Sequence, residues 1–110
     1  MDYRIIWGCV NSNGTKHSGS KDSEGEYIFN VDKVGVGTYK VKYDKSFRTT
    51  PAVVVTQNFK SWEDFGYGGG DTRDNCVLIA NDKEKFKVVT GDSEGTHVDR
   101  NFTFIVIGAK

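Results

Sequence analysis

Acidic residues gather at three places where they could act together: Asp92, Glu94 and Asp99; Asp71 and Asp74; and the adjacent pair Glu63 and Asp64. Carboxylates converging on one point are what a calcium ion needs, but neither of the first two groups has the Asp-x-Asn/Asp-x-Asn/Asp-Gly order of a calcium loop. Asp beside Gly is ordinary turn chemistry. Glu63 and Asp64 could serve as acid and base only if they shared a target, and neighbours on a strand point to opposite faces. His17 and His97 lack the i, i+4 spacing of a helical metal site and have no cysteine beside them. Gly-x-Ser-x-Gly is absent, and the glycines at 66–70 lack the Lys-Ser/Thr and following helix of a phosphate loop. The sequence therefore predicts no catalytic residue, no metal and no cofactor, and argues against an enzyme.

The segment from Phe59 to Asn75 suggests binding instead. At about 17 residues it exceeds the usual connection in a compact domain, and such loops tend to be functional or disordered. Its four aromatics, Phe59, Trp62, Phe65 and Tyr67, argue against disorder. Rings among carboxylates, Arg73 and Asn75 form the mixture that holds sugars. A ring face stacks on apolar C–H surface while polar groups bond the hydroxyls. The candidate ligand-binding residues are Trp62, Asp64, Tyr67, Asp71 and Arg73. Two other uses of the rings stay open: two of them folding back as a small core under the loop, or an interface between subunits.

The elements that must position this loop are strands. Tyr27, Phe29 and Val31 alternate with polar neighbours, as do Tyr39, Val41 and Tyr43. This is the spacing of side chains on alternate faces of a strand. Val34-Gly35-Val36-Gly37 between them reads as the loop of a hairpin. Phe86 and Val88 alternate with lysines, and Phe102, Phe104 and Val106 define a last strand. That strand becomes apolar on both faces towards its end, as one covered on both sides would be. Tyr3 to Val10, Ala52 to Thr56 and Cys76 to Ala80 complete seven candidates. The last two are short, β-branched and continuous, the pattern of buried strands, and Pro51, the only proline, stands at a strand start. Asp-Ser-Glu-Gly occurs at 22–25 and again at 92–95, with Asp opening a turn and Gly taking positive φ. The segment Ser18-Gly19-Ser20 reads as one more turn. No window has helical period with caps, so the chain is expected to form one all-β domain over 1–110, a single antiparallel β-sandwich of six to seven strands.

Charge narrows the partners. The 15 basic and 15 acidic residues cancel and are scattered, which leaves no footprint for nucleic acid or an anionic membrane. No apolar run reaches the length of a membrane span, and Met1-Asp2-Tyr3 leads into a strand pattern without a signal-peptide core. Localisation stays open between the cytoplasm and a virion or cell surface. Cys9 and Cys76 both fall in apolar strand patterns, as buried free thiols or as one disulfide.

From Tyr27 onward the motifs Gly37-Thr38-Tyr39-Lys40-Val41-Lys42-Tyr43, Thr50-Pro51-Ala52-Val53-Val54-Val55-Thr56 and Phe102-Thr103-Phe104-Ile105-Val106-Ile107-Gly108 resemble a β-sandwich module. That module stands at the C-termini of phage tail-fibre and related bacterial surface proteins. The strand opening after Pro51 also resembles the H-type lectins, a sugar-binding sandwich family that assembles as trimers. The resemblance implies a lectin-like module that recognises a glycan or cell-surface receptor, as a homotrimer. The alternative is a structural trimerisation or assembly module of a fibre or surface protein. The shared segments are core and turn residues, so the 59–75 loop is a candidate by position alone.

Overall fold

The computed structural model describes residues 2–110. Eight strands run in chain order: β1 (Tyr3–Val10), β2 (Lys16–Gly19), β3 (Phe29–Gly35), β4 (Thr38–Tyr43), β5 (Ala52–Asn58), β6 (Asn75–Asn81), β7 (Lys85–Gly91) and β8 (Asn101–Ala109). They form two four-stranded sheets, ordered β2-β1-β8-β5 and β3-β4-β7-β6, and every pairing is antiparallel. The expected all-β sandwich is the fold.

Period-two spacing decides what enters the core. Tyr39, Val41 and Tyr43 of β4 and Phe86, Val88 and Thr90 of β7 face Ile6 and Val10 of β1 and Phe102, Phe104 and Val106 of β8. Rings bridge the two sheets. Phe104 meets Phe29 at 5.1 Å and 88° and Phe86 at 5.1 Å and 67°, both edge to face. Such offset ring pairs stabilise by about 0.5–1.5 kcal/mol beyond their burial.

Four expectations need correction. The eighth strand, β2, covers Lys16–Gly19, where the sequence suggested a turn at Ser18-Gly19-Ser20. Its pairing with β1, Cys9 opposite Ser18, supplies order that its polar residues do not advertise. Tyr27 precedes the strand and joins Lys21 in an isolated bridge, while β3 runs on through Gly35 and narrows the hairpin turn to Val36-Gly37. β5 and β6 are edge strands rather than buried ones, and Val54, Val77 and Ile79 on their outer face are exposed. β8 is central in its sheet, yet Ile105 and Ile107 are exposed: the sandwich covers only one of its faces. Hydrogen bonding on both sides and burial on both faces are separate properties, and a run of apolar residues does not distinguish them.

The repeated tetrapeptide makes the same turn twice. Asp22 Oδ1 accepts from the amides of Glu24 and Glu26 at 2.9 and 3.0 Å, and Asp92 Oδ1 from those of Glu94 and Thr96 at the same distances. Gly25 and Gly95 close the turns at φ of 81° and 82°. The two cysteines are free thiols: Cys76 is buried, and Cys9 lies on a different sheet.

One glycine sets the room for the ring cluster. A Cβ on Gly8 would stand 2.6 Å from the Phe104 ring and 2.8 Å from Phe29. Gly8→Ala is therefore expected to destabilise the domain by about 1–3 kcal/mol through overpacking, read as a lower urea midpoint with an unchanged m-value. An unchanged midpoint would contradict the tight packing described.

Candidate functional site

Four connections gather at one end of the sandwich: 11–15 between β1 and β2, 36–37 between β3 and β4, 59–74 between β5 and β6, and 92–100 between β7 and β8. Up-and-down antiparallel pairing forces this, since alternate connections fall at the same end. Residues at the start of β8 and just before it tie the end together. Asn101 Oδ1 accepts from the Ser12 amide at 2.8 Å, and Asp99 Oδ1 accepts from the Gly37 amide at 2.7 Å. The buried Tyr39 hydroxyl donates to the Ser12 carbonyl at 2.6 Å.

Arg100 anchors the long loop. Its Nη1 donates to Gln57 Oε1 at 3.1 Å and lies 3.5 Å from Asp74 Oδ1, and its guanidinium sits 4.6 Å from the centre of the Phe59 ring. Gly69 and Gly70, at φ of 95° and 83°, fold over the same ring. The loop root is thus a planar cation stacked on an aromatic face and paired with a largely buried carboxylate, an arrangement suited to arginine.

The five sequence-chosen residues do not converge on one point. Trp62 folds back onto the β1–β2 hairpin, where it stacks on His17 at 4.8 Å and 14° and donates from Nε1 to Asn11 Oδ1 at 2.9 Å. Phe59 and Trp62 are therefore the rings that pack back. Asp64 shapes a turn, accepting from the Gly66 amide at 3.0 Å. Asp71 and Arg73 are spent on each other through a two-pronged pair, Nε to Oδ1 at 3.0 Å and Nη2 to Oδ2 at 3.1 Å. That pairing holds the Asp71 carboxyl below its ordinary range and raises Arg73. Tyr67 remains half open, with Lys60 Nζ 5.3 Å from its ring centre, and Phe65 is 96% exposed.

A cleft of about 240 Å³ opens beside these rings, lined by Ser12, Phe59, Lys60, Asp99, Arg100 and Asn101. Lys60 connects it to Tyr67. The Gly37 amide, with further help from Lys33 at 3.1 Å, holds the Asp99 carboxyl below its ordinary value against the opposing effect of desolvation. At neutral pH Asp99 is therefore an ionised carboxylate at the cleft wall, its Oδ1 held by the Gly37 amide and Lys33, with Lys60 and Arg100 also in the lining. Sequence reasoning considered Asp99 only for calcium and missed Lys60, Arg100 and Asn101 as lining. The available signal was three consecutive polar residues, Asp99-Arg100-Asn101, directly before an apolar strand. Among the described residues no group of three or more His, Cys, Asp or Glu side chains is placed to hold a metal ion.

The fold and the site define an all-β sandwich with a loop-built polar cleft at one end. The chain matches no protein-family model, no curated protein and no solved structure. The likeness to tail-fibre and H-type lectin modules rests on the sequence segments alone.

Two outcomes follow from this geometry. Arg100→Ala should cost about 2 kcal/mol, because Asp74 loses its cation in a largely buried place, and trypsin should then cut faster after Lys60 or Arg73. Unchanged cleavage would show that the loop is held by other contacts. The second outcome concerns alkali. Burial, followed by the Asp99 charge, pushes the Tyr39 hydroxyl up to about 12. Burial pushes Tyr43 up as well, and its hydroxyl has no partner. A raised folded-state value means the contribution is whole below the unfolded value near 10 and is lost as pH rises through the folded one. Urea titrations should show stability level to about pH 10 and then falling by roughly 1.4 kcal/mol per pH unit for each such tyrosine. Tyr39→Phe should reduce that slope.

Proposed function

We propose that this protein is a recognition domain that binds a glycan or cell-surface receptor through its loop end and does so as a homo-oligomer. The observation that carries the reading is the two exposed rings, Phe65 and Tyr67, the second linked by Lys60 to a cleft lined by Asp99, Arg100 and Ser12. A sugar presents an apolar C–H face and a rim of hydroxyls. The exposed rings suit the face, while a carboxylate flanked by cations suits adjacent hydroxyls. Binding without chemical change is the activity proposed.

Relative to the sequence-based choice, the weight moves within the loop. Tyr67 stays in the ligand set and is joined by Phe65, Lys60 and Asp99. Trp62 becomes a support, and the Asp71–Arg73 pair and Asp64 serve the loop's shape. A second reading, an assembly module with loop aromatics between subunits, is favoured by the 96% exposure of Phe65, since a ring that open suits a partner chain.

The double variant Phe65→Ala, Tyr67→Ala should keep the wild-type circular dichroism, because neither ring belongs to the core, and lose at least about tenfold in retention on a glycan array or on whole cells, the equivalent of one exposed stacking contact or more. A wild type that retains no glycan or cell-surface material defeats the recognition reading. Loss of oligomer mass in the same variant supports the assembly reading instead.

A further inference from the structure

The outer face of the β2-β1-β8-β5 sheet is unlike the surface of a monomer. Register places Ile5, Ile107 and Ala52 side by side across three strands, and in the next outward-facing row Trp7, Ile105 and Val54. Tyr3 and Ala109 extend the patch at one end, and Cys9, Thr103 and Thr56 close it at the other. Tyr3, Ile5, Trp7, Val54, Ile105 and Ile107 are each 42–64% exposed. No charged side chain lies in these rows, although 27% of the chain is charged.

The opposite sheet supplies the contrast. Its outer face pairs Lys40 with Lys87 and Lys42 with Lys85, as a solvated surface does. Exposed aliphatics on that sheet, Val34, Val77 and Ile79, are confined to its edge strands β3 and β6, whereas those of β1, β5 and β8 run across three adjacent strands with no charged residue among them. Neighbours within a row lie about 4.8 Å apart across strands, and the two rows about 7 Å apart along them, so large side chains make the rows one continuous patch.

We propose that this sheet face is the contact between copies of this chain. Area is the first argument. Six large apolar residues each roughly half exposed make a patch on the order of 600 Å², at the upper end of what an ordinary monomer carries and approaching the roughly 800 Å² that each partner contributes to a stable interface. Charge is the second. A face without charge offers nothing to steer or orient a charged partner or an anionic lipid surface, whereas it is complementary to itself. Shape is the third: sheet faces pack on one another at about 10 Å through interleaved β-branched side chains, the arrangement already present between the two sheets of one copy. This contact stands independently of the recognition reading. It puts the subunit boundary on the sheet and leaves the 59–74 loop free at the end of the molecule.

Sedimentation velocity at about 100 μM, a concentration at which a standard-sized interface is occupied, tests it. The wild type should sediment as two copies, the number that one face packed on its own mate holds. Ile105→Lys and Ile105→Glu should each sediment as single chains, with association weakened at least about a hundredfold because each would bury an unpaired charge. A one-to-one mixture of the two should recover mass, since opposite charges then meet across the contact. Val54→Glu, on the edge strand, gives an independent check if the central substitution perturbs the fold, which near-ultraviolet circular dichroism reports. A single-chain wild type overturns the proposal, including one that instead floats with phosphatidylcholine–phosphatidylserine vesicles. So do Ile105 and Val54 variants that keep the wild-type mass. Phe65→Ala with Tyr67→Ala should leave the mass unchanged, so failure of the recognition reading and failure of this one are read separately.

Discussion

The Phe104 ring stands between Phe29 and Phe86, and this three-ring contact sets the spacing of the sandwich. Phe104 belongs to one sheet and both partners to the other, so the sheets cannot separate, slide or change register without breaking two edge-to-face pairs at once. The contact in turn dictates what stands opposite it. Gly8 has no side chain because the rings occupy the space a Cβ would need. Tyr43 continues the series to Phe47 at 5.1 Å, so rings run through much of a small core. Large rigid groups with few rotatable bonds fill volume at low entropic cost, which suits a domain of this size.

The loop end depends on that core through Tyr39. Its ring packs against Phe102 at 5.1 Å, and its hydroxyl reaches the Ser12 carbonyl, so the connection at 11–15 is fixed from inside the sandwich. Asn101 pins the same turn from β8, and Asn11 then accepts from the Trp62 indole. Order passes from buried rings, through one turn, to the long loop. Arg100 holds the loop's root from the other side. Phe65 and Tyr67 are the rings these supports leave open, and their separation from the core means that loop sequence can vary without cost to the fold.

The sandwich was legible because burial follows a period of two: Tyr39, Val41, Phe86, Val88, Phe102 and Phe104 are core residues in the alternation that predicted them. Both Asp-Ser-Glu-Gly turns were legible because Asp acts there through its own side chain on nearby amides and Gly through its positive φ. β2 was not, since Lys16, His17, Ser18 and Gly19 carry no apolar alternation and owe their extended form to β1. The site was partly legible. The loop's aromatic content pointed to it, but an aromatic ring's fate depends on what lies opposite. His17 and Asn11, far away in sequence, captured Trp62, while nothing captured Phe65. Asp71 and Arg73 looked like a ligand set and became a pair, because two residues of opposite charge two positions apart in a turn meet each other first.

The continuous apolar runs in β5 and β8 misled as to burial for an instructive reason. A run apolar on both faces says that both faces meet apolar surroundings, without saying that one chain supplies them. Within the sandwich only the inner half of each run is covered. The outer half, Ile107 beside Ile5 and Ile105 beside Trp7 of β1, has the composition of a core and the exposure of a surface. The lysine rows of the opposite sheet show that this fold can place charge on an outer face without losing its strands. A sheet that omits charge over that area has the surface chemistry of half an interface, and a neutral chain has little net repulsion to hold copies apart. Covering the β2-β1-β8-β5 face leaves the loop end uncovered, so assembly and recognition can use the two surfaces at once without competing for the same residues.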